Sequence, residues 1–156
     1  MKKKIIVCLV LFIVISLIYG FDYYRSKQFE IQIVSVSPQP AFADGQSPIT
    51  IRVRLSDKQK NIIEGHSLFA YTLGGGVFKA NREITNKNGE AFFTYFPYKA
   101  SELMQLEDVP IEIIDESNSV IFEINTRKKF YVKLTKPEKK QHSQSTIKLE
   151  DVFGEK

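Results

Sequence analysis

Residues able to do chemistry are few in this chain and stand far apart. Among 156 residues there are 2 histidines and 1 cysteine. Neither His66 nor His142 has a second ligand at zinc-site spacing. Cys8 lies inside an apolar N-terminal run, so the remainder has no thiol to oxidise or to use as a nucleophile. A lipidated cysteine would follow such a run rather than sit near its start, so Cys8 reads as a small apolar residue facing lipid or a neighbouring helix. Asp57, Glu64, Glu83, Glu90, Glu112 and Glu123 are scattered over turns and outward strand positions, as solvated sheet faces would be. Asp44 and Asp57 are the candidates for a calcium site at a loop end, but two isolated carboxylates fall well short of its oxygen shell. Gly74-Gly75-Gly76 lacks the Lys-Ser/Thr and the helix of a phosphate loop. No nucleophile–base pair is visible. The expectation is a non-enzymatic protein with no cofactor, no metal and no catalytic residue.

The elements that would hold these residues are strands. Phe29, Ile31 and Ile33 alternate toward a first strand that ends at Ser37-Pro38-Gln39-Pro40. Ile49, Ile51, Val53 and Leu55 alternate with Thr50, Arg52 and Arg54, which gives one buried and one wet face. Asp57 to Asn61 is a polar turn, Ser67 to Thr72 a strand, and Arg82 to Thr85 a short strand. Asn86-Lys87-Asn88-Gly89 is a tight turn, because Asn and Gly tolerate positive φ. Ala91 to Phe96 follows as a strand. Ser101 caps a short helical turn reaching Leu106. Val109 to Asp115 and Ser119 to Asn125 read as a hairpin around Glu116-Ser117-Asn118, and Phe130 to Leu134 as the last strand. Phe69, Phe92, Phe93, Tyr95 and Phe122 are the aromatic residues expected between the sheets. About seven short strands with regular turns predict an all-β sandwich over 29–135.

Ahead of it, residues 1–4 form a cationic stub and 5–21 an unbroken apolar run. About 17 residues reach ~25 Å as a helix, near the lower limit for crossing a bilayer. Ile5, Leu9, Phe12, Leu17, Tyr19 and Phe21 are the residues expected to hold the membrane. Tyr19, Tyr23 and Tyr24 cluster at the far end like an interfacial belt. Lys2, Lys3 and Lys4 keep the N-terminus in the cytoplasm by the positive-inside rule and export the remainder. The alternative is a signal peptide cut near Gly20, although Ile18-Tyr19-Gly20 places large residues where the peptidase wants small ones. Residues 22–28 read as a linker. Residues 136–156 are polar and read as a disordered tail, in which Ile147, Leu149, Val152 and Phe153 form a cluster for partner contact.

The stretch from about Ser37 to Leu134 resembles a bacterial immunoglobulin-like domain of the invasin/intimin type. Ala43-Asp44-Gly45-Gln46 leads into an alternating strand, as the family's Ala-Asp-Gly-Lys does. Asp57 to Asn61 with Ile62-Ile63-Glu64-Gly65, then Leu68-Phe69-Ala70 with Gly75-Gly76, follow the family's order. Ile84-Thr85-Asn86-Lys87-Asn88-Gly89-Glu90-Ala91 is similar to its Thr-Asp-x-x-Gly-x-Ala signature. Pro97 to Val109 is longer than the family's return, and His66 stands where small apolar residues are usual. The resemblance implies a Greek-key Ig-like sandwich, a binding or spacer role and no catalytic residues.

The net charge of +4 includes the N-terminal lysines, and no basic patch interleaved with aromatics marks a nucleic-acid binder. The function expected is a single-pass membrane protein presenting an extracytoplasmic Ig-like domain. Its partner would be a membrane-proximal envelope protein or wall polymer, as in a secretion or conjugation assembly. The alternative is a secreted ligand or adhesin. The sequence leaves homo-oligomerisation open.

Overall fold

The computed structural model describes residues 2–101 and 108–136. The helix α1 runs Lys2–Ser26. The strands are β1 Phe29–Ser37, β2 Ala41–Phe42, β3 Ile49–Asp57, β4 Ser67–Thr72, β5 Val77–Phe78, β6 Arg82–Ile84, β7 Glu90–Phe96, β8 Val109–Asp115, β9 Arg127–Val132 and β10 Leu134–Thr135. One sheet has the order β1-β3-β7-β5 and the other β6-β4-β8-β9, with β2 and β10 as a short parallel pair. Successive strands β3 and β4, and again β7 and β8, lie in opposite sheets, which is the Greek-key connectivity of an Ig-like sandwich.

The core follows from pleat parity. Side chains of a strand point alternately to its two faces, so apolar residues two apart share one. Ile49, Ile51, Val53 and Leu55 of β3 are fully buried, opposite Ile111 and Ile113 of β8 and beside Phe93 and Tyr95 of β7. The same parity corrects the aromatic core. Phe92 adjoins Phe93, so only one of them can face inward; Phe92 is 46% exposed and lies under the Arg52 guanidinium at 5.7 Å. Phe69 likewise faces out between Leu68 and Ala70, with Arg82 over its ring at 5.6 Å. Phe122 leaves the sandwich altogether and packs on the helix. Phe78, in a strand too short to show alternation, joins the core instead.

Two further expectations change. The hairpin from 109 to 125 is not formed: β8 pairs with β9 from Val109↔Val132 to Ile114↔Arg127, and 116–126 is a loop between them. Val120, Phe122 and Ile124 imitate strand alternation, but Ser119 N–H donates to Phe122 O and Ile124 N–H to Ser117 O, closing a compact hook. The first strand ends at Ser37 as expected, and a bulge between Ile33 and Ser35 turns Val34 outward. The helix continues to Ser26, so most of the stretch read as linker is helical. The turn read from Ser101 to Leu106 and the tail cluster Ile147, Leu149, Val152 and Phe153 lie outside the described residues.

Two glycines have a structural task. Gly76 has φ +79°, and a Cβ there would collide with the Tyr95 hydroxyl. That hydroxyl donates to Gly75 O at 2.7 Å, and burial pushes the Tyr95 phenol up to about 12. Gly89 has φ +65° and closes the Asn86 turn, where Asn86 Oδ1 accepts from the N–H groups of Asn88 and Glu90.

Candidate functional site

The feature that needs explaining is a helix left bare along most of its length. Among the described residues, Lys3–Ser26 is the one helix long and apolar enough to cross a membrane by length and composition. Ile5, Leu9, Phe12, Leu17, Tyr19 and Phe21 are all exposed, from 48% at Tyr19 to 71% at Phe12. A helix that is apolar all round normally finds its cover in a core or in lipid. Here the sandwich covers only its last turns.

Those last turns are tied to the sandwich by Asp22. It is the one acid in the helix and is 3% exposed. Its Oδ1 accepts from Ser119 Oγ at 2.5 Å and Val120 N–H at 3.0 Å. Its Oδ2 accepts from Ile121 N–H at 2.7 Å and Phe122 N–H at 3.0 Å. A carboxylate near the C-terminal end of a helix sits at the negative pole of the helix dipole. The convergent N–H groups of 120–122 offset this by forming a concave anion nest around it. Phe122 then lies edge-on against two helix rings, Tyr19 at 6.0 Å and Tyr23 at 5.6 Å between centroids. Ser26 Oγ donates back to Tyr23 O at 2.8 Å and closes the helix end.

The other side of the helix end meets the β3–β4 turn. Phe21, Tyr24, Arg25, Gln28 and Phe29 line a cleft with Asp57, Gln59 and Ile63. Gln28 O accepts from Lys58 N–H at 2.8 Å, and Phe29 O from Thr126 Oγ1 at 3.2 Å. The hydrogen bond from the Asn61 side chain is the main reason that Asp57 lies below the usual carboxylate range. Glu30 is lowered chiefly by its hydrogen bond from Lys60, with Nζ at 3.0 Å. The junction is therefore a clamp: the 116–126 loop grips the helix end, and the 57–63 turn holds Gln28 just beyond it.

The remaining titratable residues are placed apart from it or serve the fold. Asp44 binds its own turn, accepting from Gln46 N–H, Ser47 N–H and Ser47 Oγ. Asp57 accepts from Asn61 N–H and Nδ2, both at 2.8 Å. The oxygens weighed for calcium are thus engaged in two separate turns. Glu90 is not a solvated surface acid: it is buried, and Arg52 and Arg54 both reach it at 2.6 Å. Their hydrogen bonds, Arg54 first, hold its carboxyl below the ordinary range. Glu112 accepts from the Tyr71 hydroxyl at 2.5 Å. His66 Nδ1 lies 2.8 Å from the buried Asp115 carboxylate, whose other oxygen accepts from Ser117 N–H at 3.0 Å. Phe29 covers the imidazole at 5.2 Å. His66 and Asp115 are separated by 49 positions, so no local spacing announces the pair. Asp22 carried one signal: an acid directly behind an apolar run, where neither the lipid nor the helix dipole favours it.

Comparison with known proteins finds no matching family model and no matching curated protein. Among solved structures, the D00-D0 domain of intimin is similar at 16% identity and a TM-score of 0.46, over 68% of this chain and 48% of that one. The chain thus spans about half the length of that structure. A conjugative transposon lipoprotein from Bacteroides eggerthii is similar at 16% identity and a TM-score of 0.44, covering 67% of this chain and 95% of that one. A conjugate transposon protein from Bacteroides vulgatus is similar at 16% identity and a TM-score of 0.39, covering 74% and 90%. The Ig-like architecture itself is read from this chain's own strand order and register.

Proposed function

We propose that this chain is a non-enzymatic, single-pass membrane protein. Its N-terminus lies in the cytoplasm, and its Ig-like sandwich is held at the outer face to grip an envelope protein or wall polymer. A subunit of a conjugation or secretion assembly fits that description. The observation that carries the reading is the clamp on α1. The apolar helix enters the sandwich through Asp22, Tyr19 and Tyr23 with only Lys27 and Gln28 between helix and first strand. Cutting near Gly20 would remove Tyr19 and leave Phe122 with one ring partner, so the clamp favours an uncut anchor over a secreted ligand. The non-enzymatic reading is supported by what the buried acids do: Glu90 and Asp115 are each saturated by partners that stabilise the fold.

The test is alkaline extraction of membranes followed by mass spectrometry of the mature N-terminus. The reading expects a chain in the extraction-resistant fraction that retains residues 1–20. A soluble product beginning at about Phe21 would replace it with the secreted ligand. Photo-crosslinkers at Ile147 and Phe153 of the membrane-bound chain test the tail as the partner contact.

A further inference from the structure

We propose that the 119–122 loop is a second lipid contact, seated in the headgroup boundary beside the helix and fixing how the sandwich stands on the bilayer. The proposal rests on the membrane-anchored reading and goes beyond it. Two observations carry it. The first is depth. Phe122 packs on Tyr19, which lies inside the apolar run that ends at Phe21. Two residues of helix rise are ~3 Å, so the loop descends alongside the helix past the end of that run. A helix spanning the bilayer through Ile5–Phe21 carries Phe122 to the level of its own interfacial tyrosines.

The second is what the loop shows at that level. Val120 is 72% exposed and Ile121 45%, and the loop's own amides are turned inward onto Asp22. The loop thus presents aliphatic side chains while its N–H groups at 120–122 are already satisfied. Satisfied donors lower the cost of seating a non-helical segment at the lipid boundary, where an unpaired amide is costly. Tyr19, Tyr23 and Phe122 supply an aromatic cluster of the kind enriched at membrane–water boundaries. The lipid interface is therefore the occupant continuous with the helix surface on which the loop rests.

The experiment uses the full chain in phosphatidylcholine–phosphatidylglycerol vesicles on a Cys8→Ser background. Single variants Val120→Cys, Ile121→Cys, Leu17→Cys and Leu73→Cys carry an environment-sensitive fluorophore. Lipids with a nitroxide quencher near the headgroup report contact. Leu73 is the exposed control just beyond β4, at the end away from the junction. The expected result is quenching at 120 and 121 several-fold above that at 73, approaching that at 17. Quenching at 17 with 120 and 121 no higher than 73 overturns the loop contact and leaves the anchor standing. No quenching at 17 overturns the anchor and the loop contact together. Labels at 120 and 121 shielded from water yet unquenched would assign the loop to a protein partner, such as a second copy, and overturn the proposal.

Discussion

Phe122→Ala should uncouple the helix from the sandwich without unfolding the sandwich. The Phe122 ring makes two edge-to-face contacts, with Tyr19 at 6.0 Å and Tyr23 at 5.6 Å. Such pairs contribute about 0.5–1.5 kcal/mol each beyond the area they bury, so the two together hold the loop on the helix by ~1–3 kcal/mol. The ring is outside the cluster of buried core residues, so the β-sheet contacts are not touched. The loss falls on local opening, which exposes the amides of Val120, Ile121 and Phe122 that Asp22 otherwise protects. Each 1.4 kcal/mol is tenfold, so their hydrogen-exchange protection should drop by roughly 5- to 150-fold. Amides of β3 and β7 should keep theirs. The assay is hydrogen exchange with mass spectrometry on the full chain in detergent micelles or nanodiscs. Unchanged protection at 120–122 would refute the ring contacts as a coupling element. A fall spread evenly over β3 and β7 would refute the separation of clamp from core.

Pleat parity gives a paired prediction: Phe93→Ala should cost ~3–5 kcal/mol in urea unfolding, whereas Phe92→Ala, on the exposed face of the same strand, should cost about 1 kcal/mol or less. Asp115→Ala strands Ser117 N–H and His66 in a part-buried site and should cost ~1–3 kcal/mol by the same measurement, with Asp115→Asn less severe. Glu90 sits below its ordinary value of 4.5, so the unfolded chain binds the proton more readily than the folded one. Its contribution is full above about pH 4.5 and is lost as pH falls through the lower folded value, so Glu90→Gln should flatten the acid limb of the melting-temperature profile. An acid limb in the Glu90→Gln variant that matches the parent would contradict this. Gly76→Ala should destabilise by ~1–3 kcal/mol through its positive φ and the Tyr95 hydroxyl, read by thermal melting.

What the sequence made legible was whatever depends on local spacing. The alternation from Ile49 to Leu55 named both faces of β3, and Asn86 to Gly89 named a turn whose glycine has the required positive φ. The apolar N-terminal run gave a helix, though its end at Ser26 depends on a hydroxyl returning to Tyr23 O. Spacing failed where an interaction spans the chain. Asp22 and the 119–122 loop meet across about a hundred positions, and the loop borrows a strand's alternation to place Phe122 on the helix. Phe69 and Phe92 depart from the expected core for another reason: aromatic residues suit core and surface alike, and their outward faces are roofed by arginines from the neighbouring strand. Glu90 reads as a surface acid until register sets it beside Arg54 and diagonal to Arg52.

If the apolar helix crosses the membrane with the clamped sandwich outside, residues 3 and 73 lie on opposite sides of it. Labelling of intact cells with a membrane-impermeant maleimide tests this most directly, using Lys3→Cys and Leu73→Cys on the Cys8→Ser background. Position 73 should react in intact cells and position 3 only after permeabilisation, both in cell-bound protein. Equal reaction at both positions, the reverse pattern, or a reactive chain found in the medium would contradict it.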